Sequence, residues 1–330
     1  MRFFLFIFLF IHWFDLLAQS DKSFVIAFGS CNKQDLEQPL WEPIINESPD
    51  LWIWLGDNIY GDTHDMSIMK AKYKKQNENE GYNRLKSKTK IIGIWDDHDY
   101  GLNDAGKDYS KKHESQKLAL EFYGEDSNSE RWERQGIYDS YDFMRGDLKI
   151  KVILLDTRFN RDTITRKNRV YLPNESGDVL GEEQWNWLES ELESSDATFN
   201  IIGSSIQVIA KDHAYEKWAN FPSSRKRLFD VIKESKAQGV VFLSGDRHIA
   251  EVSKYEVNGI NYPLYDITSS GLTHTWRNGG EEENQYRIGE LIMKLNYGVL
   301  ELSNTDGVNK AEVEIKGKEG VTLESHKIKF

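Results

Sequence analysis

The sequence predicts an α/β protein whose chemistry is gathered at the carboxyl ends of its strands. Three observations carry that expectation. Short apolar runs recur along the chain, each bounded by Gly, Asn, Asp or Ser as buried strands are. Each run breaks directly into side chains that bind metals or move protons. Between several of them lie polar segments with helical spacing of apolar residues, the alternation that builds α/β folds. Sheets of that class bind ligands just beyond the strand carboxyl ends.

Residues 23–28 form the first predicted strand, which runs into Gly29-Ser30-Cys31-Asn32. The second, residues 51–55, ends in Gly56-Asp57-Asn58-Ile59-Tyr60-Gly61-Asp62. Its glycines permit a sharp turn, so Asp57 and Tyr60 emerge together. Residues 66–90, rich in Lys, Asn and Glu, read as one or two surface helices. A third strand over 90–95 delivers Asp96-Asp97-His98-Asp99. Residues 102–112 read as a loop and 113–123 as a helix capped by Gly124. Residues 136–143 alternate like a half-exposed strand, and 148–155 form another that runs into Asp156-Thr157-Arg158.

Residues 161–180 lack periodicity and read as a loop. A helix then opens at Gly181, with Trp185, Leu188 and Leu192 on one face and glutamates in the first turn, where the helix dipole favours them. Residues 199–202 lead to Gly203-Ser204-Ser205-Ile206-Gln207. Pro222 and Ser223 start a helix that packs Leu228, Phe229, Val231 and Ile232 and is expected to end at Gly239. Residues 240–243 deliver Ser244-Gly245-Asp246-Arg247-His248. The remainder is mainly β, with a polar loop over 276–287 and alternating last strands that fit an antiparallel arrangement with one wet face.

With 330 residues and 39% hydrophobic content the chain can bury a sizeable core. Its net charge of -12, from 42 basic and 54 acidic residues, argues against nucleic acid as a partner. Residues 1–19 carry one positive charge followed by an apolar stretch, the form of a signal peptide. The expectation is an exported, periplasmic or extracellular protein with residues 20–330 as one domain, no integral membrane span and no implied protein partner. The single cysteine, Cys31, has no partner for an intramolecular disulfide.

Collected by position, the strand ends present Cys31, Asp57 with Tyr60, Asp97 with His98, Arg158, Gln207, and Asp246 with His248. A thiolate and a phenolate in one site favour a trivalent transition metal, for which iron(III) fits best. The carboxylates favour a hard divalent cation such as calcium, magnesium or manganese. Five anionic side chains would balance one trivalent and one divalent ion. Such a pair activates water toward phosphorus, so phosphate ester hydrolysis is the matching reaction. His98 would protonate the leaving alkoxide, and Arg158, with Asn58 and Gln207, would hold the substrate. From another class, Cys31 could be a nucleophile with His98 or His248 as its base, and a non-catalytic binding protein is a third reading.

Gly56-Asp57 followed by Asp97-His98-Asp99 resembles the calcineurin-like metallophosphoesterases, although their opening Asp-x-His and closing Gly-His-x-His are missing. In their places stand Gly29-Ser30-Cys31 and Ser244-Gly245-Asp246-Arg247-His248. With Trp95-Asp96-Asp97-His98-Asp99 and Asp156-Thr157-Arg158, these blocks resemble the PhoD-like alkaline phosphatase family, as does Trp218-Ala219-Asn220-Phe221-Pro222 before Arg225. The resemblance runs from residue 24 to about 276. It implies a metallophosphoesterase-type β-sandwich of two mixed sheets flanked by helices. It also implies that Cys31, Asp57 and Tyr60 ligate iron, that Asp246 joins the centre with calcium as the divalent ion (magnesium, manganese or zinc being possible), and that Asp97 and His248 are further candidate ligands. Monoesters, diesters or both are the expected substrates, with a phospholipase-type attack on lipid or polymer headgroups as the rival. The extra N-terminal β-domain of larger members finds no room before residue 24.

Overall fold

The computed structural model describes residues 23–276, 282–305 and 307–330. The expected signal peptide therefore lies outside the described residues, as does the middle of the 276–287 loop. In chain order the elements are β1 (Phe24–Gly29), α1 (Trp41–Asn46), β2 (Leu51–Leu55), α2 (Met66–Asn77), α3 (Glu80–Lys86), β3 (Lys90–Ile94), α4 (Asp97–Tyr100) and α5 (Lys112–Tyr123). Next come β4 (Asp139–Arg145), β5 (Leu148–Leu154), the short β6 (Arg166–Lys167) and β7 (Val170–Tyr171), α6 (Glu182–Glu193), β8 (Phe199–Ser204) and α7 (Pro222–Ser235). The chain closes with β9 (Val240–Ser244), β10 (Ala250–Tyr255), β11 (Leu264–Ser269), β12 (Arg287–Ile292), β13 (Tyr297–Thr305), β14 (Val308–Lys316) and β15 (Thr322–Ile328).

Two mixed sheets result, in the orders β15-β14-β13-β1-β2-β3 and β12-β10-β11-β9-β8-β5-β4. Strand alternation explains why they stack and why helices cover both outer faces. In β2, Leu51, Ile53 and Leu55 point into the core between the sheets, while Trp52 and Trp54 point out toward the helices. In β9, Val241 and Leu243 face the shared core, and Val240 and Phe242 face the layer containing α6 and α7. Every residue of β2 and β9 is buried, which is why both read as continuous apolar runs. On the outer face of the first sheet, Trp41 of α1 packs edge-on against Trp52 and Trp54, each at 5.5 Å between centroids.

The β-sandwich flanked by helices agrees with the expected fold class, as do the antiparallel last strands. Residues 66–90 form two helices, α2 and α3. Three expectations need correction. The strand placed over 136–143 begins only at Asp139, because Gly136 is in a positive-φ turn. The late helix ends at Ser235, where Lys236 turns left-handed, and Gly239 instead starts the approach to β9. The stretch 161–180 holds the β6-β7 hairpin, whose two-residue turn at Asn168 and Arg169 uses positive φ at both positions. Neither residue is glycine, so the usual turn signal was missing.

Candidate metal centre

β1, β2 and β3 run parallel, and so do β5, β8, β9 and β11 in the second sheet. Their carboxyl ends meet at one edge of the sandwich. Two glycines allow the close approach. A Cβ on Gly245 would come within 2.5 Å of Ser30 Oγ and 2.6 Å of the Leu55 carbonyl. A Cβ on Gly56, at φ +92°, would lie 2.4 Å from Asp96 Cβ. The tip of β9 can therefore press against the tips of β1 and β2.

Three overlapping groups of donors converge there: Cys31, Asp57 and His248; Asp57, Asp97 and His98; and Asp57, Asp96, Asp97 and Asp246, with ligand atoms in each group within 4.8 Å of one another. Asp57 belongs to all three. The Cys31 thiol donates to Asp57 Oδ2 at 3.4 Å, and the Tyr60 hydroxyl reaches the same oxygen at 3.3 Å. Tyr60 Oη also lies 2.9 Å from His248 Nε2. Cys31, Asp57, Asp246 and His248 all adopt positive φ, from 52° to 67°. Left-handed backbone in a side-chain-bearing residue is unfavourable and gathers at functional sites. Asp99 ties the turn together, accepting from the backbone N–H groups of Asp96, Asp57 and Asn58.

The protonation pattern reflects a crowd of buried acids. Burial, then the charges of Cys31 and the neighbouring carboxylates, outweighs His98 and holds the Asp57 carboxyl well above its usual range. Burial also raises Asp246, helped by Asp96 and Asp97, and raises the Tyr60 phenol. The Cys31 thiol is pushed up to about 12, first by burial. Asp97 moves the opposite way, to about 2, because His98, Arg158 and the Asp104 N–H outweigh its burial. His98 rises to about 11: burial opposes the charge, but Asp97, Asp57 and Asp62 outweigh it. His248 falls to about 3 through burial and the neighbouring His274, so it presents a neutral ring.

Donor chemistry of this kind fits multivalent cations. Ligands must be deprotonated to bind, and a cation supplies the charge that makes deprotonation favourable. Asp96 Oδ2 is buried with no hydrogen-bond partner, while its other oxygen accepts from Ser205 Oγ and Arg158.

The sequence-predicted residues separate into two sets. Cys31, Asp57, Tyr60, Asp97, His98, Asp246 and His248 come together. Arg158, expected to present a fork to phosphate, is fully buried and pairs with Asp96 and, at 2.6 Å, with Glu216, which also pairs with Arg161. The Asn58 amide is likewise engaged within the protein, donating to the Ile94 carbonyl, Asp99 and Tyr123. Gln207 is buried and donates to Glu251 and Thr268. These polar groups sit behind the centre and hold its walls.

Sequence reasoning passed over three residues. Asp96 joins the carboxylate cluster, a role its place in the Asp-Asp-His-Asp run could have signalled. Asp62 lies 2.6 Å from His98 Nδ1, and the His98 ring stacks on Tyr60 at 4.2 Å. His274, whose ring is 4.4 Å from His248 and 5.1 Å from Tyr60, stands in no block that marked it.

A sequence model described as PhoD-like phosphatase matches residues 26–275. The chain belongs to the PhoD-like phosphatase family. That match includes the tips of β1, β2, β3, β5 and β9, and so every ligand candidate named above. Alkaline phosphatase D of Bacillus subtilis (strain 168) is 28% identical over 140 residues, which is 36% of this chain and 24% of that protein. The match thus spans about a quarter of that relative's length. Among solved structures, one described as "Structure of PhoD" superposes with a TM-score of 0.70 at 19% identity, covering 93% of this chain and 72% of that one. GAP50, described as the anchor in the inner membrane complex of Plasmodium, superposes at 0.62 and 16% identity over 93% and 89%. At these identities the superpositions establish the fold.

Proposed function

We propose that the chain is an exported, metal-dependent phosphoric ester hydrolase acting on mono- and diesters. One observation carries the reading: a thiol, a phenol and four carboxylates converge at the strand tips, where burial holds Cys31, Tyr60, Asp57 and Asp246 protonated and bound cations would make their ionisation favourable. Family membership supplies the reaction class. Cys31, Asp57 and Tyr60 would hold iron(III), and Asp57, Asp96, Asp97 and Asp246 a divalent ion, with calcium favoured by oxygen-only donors. His248 completes the first group as a neutral nitrogen donor.

Bound cations supply an activated water and a polarised phosphoryl group. The chain's own residues do the rest. Asp62 holds His98 by Nδ1, which orients Nε2 as the nitrogen for delivering a proton to the leaving oxygen. Cations beside it would draw its high pKa down toward a useful range. Arg158 neutralises Asp96 from behind and so fixes that carboxylate for ligation. A thiol nucleophile is disfavoured, since the Cys31 thiol is buried, protonated and bonded to Asp57 and Ser270 rather than to a histidine base.

The test is metal analysis beside release of product from p-nitrophenyl phosphate, bis-p-nitrophenyl phosphate and phosphatidylcholine. Loss of all turnover on chelation is expected, and full activity in a metal-free protein would sink the proposal. Phenolate-to-iron(III) charge transfer should colour the protein, and Tyr60→Phe should bleach it while the metal content stays near that of the parent. A colourless, active protein containing zinc alone would remove the iron assignment. Export predicts a secreted chain lacking residues 1–19 by mass, against an intact one if the segment anchors.

Chelation should also change how stability depends on pH. In the metal-free fold Asp96 titrates at about 7 and Asp99 at about 8, both raised chiefly by burial. Unfolded, each carboxyl titrates near ~3.9. Both states are protonated below that value, and above it the unfolded chain releases protons that the fold retains. Each such acid therefore removes stability steadily as the pH rises from about 4 toward its folded value. Denaturant midpoints of the chelated protein should fall from pH 4 to 8, and fall less in the metal-loaded form. Parallel curves would contradict the assignment.

A further inference from the structure

Arg247 stands between Asp246 and His248 in the turn after β9, and it belongs to a second cluster of charge beside the metal centre. Its guanidinium lies 4.1 Å from the centre of the Tyr215 ring. The Tyr215 N–H donates to His213 Nδ1 at 3.2 Å, and Lys217 Nζ donates to the His213 and Tyr215 carbonyls at 2.7 and 2.9 Å. We propose that His213, Lys217 and Arg247 form an oxyanion subsite, which takes a second anionic group of the substrate while its phosphate ester sits at the metals. The inference rests on reading the metal centre as a phosphate ester site.

Unspent donors select the occupant. His213 Nε2 and Arg247 Nε are both buried with no hydrogen-bond partner among the described residues. Burial, then the charges of Arg247 and Lys217, holds His213 well below its usual pKa and so keeps its ring neutral. Since Nδ1 accepts, the proton of that neutral ring sits on Nε2, which makes it an orphaned donor. Lys217 spends two of its three N–H groups on carbonyls and pairs with no carboxylate among the described residues. The neighbouring cations are already balanced, Arg247 by Glu282 and Arg287 by Glu251. One positive charge and three N–H groups are therefore left over in a buried place, where unpaired donors are costly. A carboxylate or phosphate group would accept from all three and cancel the charge. A cation would meet repulsion there, and an apolar group would leave the donors unpaired.

The cluster is held in register with the metal ligands. Trp276 Nε1 donates to the Arg247 carbonyl at 2.9 Å, and the Trp276 N–H donates to the His248 carbonyl at 3.2 Å. Its ring lies 5.3 Å from that of His248 and 5.8 Å from that of Tyr215, so one aromatic wall links the centre to the cluster. Trp276 is 42% exposed, which brings that wall to the surface where a substrate arrives. A ligand bound at both ends would lie along it.

The test is calorimetric titration of the metal-loaded full chain with non-hydrolysable phosphonates having linkers of two to six carbons. Each n-alkylphosphonate is compared with the ω-carboxyalkylphosphonate and the α,ω-diphosphonate of the same length. At one linker length the second anionic group should tighten binding at least about tenfold, as charge-assisted hydrogen bonds to a fixed site do. Whichever of the two anions gains more identifies the oxyanion. His213→Leu and Lys217→Met should bring the gain down to about one, and Lys217→Arg should keep most of it. Because the gain is a ratio taken within each variant, general damage to the fold cancels. A gain absent at every length overturns the subsite, as does one that both variants retain or one that grows without an optimum length. If no phosphate ester is hydrolysed, yet the gain appears and both variants remove it, the subsite stands and the hydrolase reading falls.

Discussion

Asp57→Asn is expected to abolish metal retention and lower kcat/KM by at least about 10²-fold, the upper range seen even for groups that only support a ligand. Asp57 is the one carboxylate shared by all three donor groups, so its loss should empty both positions at once. Elemental analysis of the purified variant reads this directly. The same substitution should have an opposite effect on the metal-free fold. Asp57 is fully buried and held protonated against its tendency to ionise, which disfavours folding at neutral pH. A neutral amide removes that penalty, so the chelated variant should melt higher than the chelated parent at pH 8. Such opposition between function and stability marks a site built for a ligand. Retained metal with normal activity would show that Asp57 is only a turn residue.

Arg158→Met should destabilise the protein by about 3–5 kcal/mol, the usual result of removing one partner from a buried ion pair. The guanidinium is the shared cation of Asp96 and Glu216, and all three side chains are almost wholly excluded from solvent. Its removal leaves one carboxylate to Arg161 and the other with only the Ser205 hydroxyl. Chemical denaturation would measure the loss. A phosphate-holding arginine behaves differently, raising KM with stability unchanged, so the two roles give separable outcomes. A soluble variant of parental stability with a raised KM would restore the substrate-binding role expected from sequence.

Arg158 also shows where reading a sequence stops. An arginine after a strand is compatible with a phosphate fork or an internal ion pair, and the choice depends on Glu216, 58 residues away. Asn58 and Gln207 are ambiguous for the same reason. Both stand at strand ends with the right chemistry, yet their partners are Tyr123 and Glu251, which no local pattern links to them. His274 gained its place through ring contacts with Tyr60 and His248, separated from it by 214 and 26 positions.

The strands, their two-residue alternation, the donors at their tips and the five motif blocks are local properties, and sequence alone determined them. Backbone geometry forces alternate side chains to opposite faces, so burial on both faces leaves a visible signature in composition. Which donors share a cation, which arginine faces inward, and which buried donors beside the centre are left without partners were decided only by tertiary structure. Those outcomes depend on how two sheets approach at Gly56 and Gly245 and on which charges burial leaves within reach of one another. Burial and Coulomb interaction act through distance in space, which residue order does not encode.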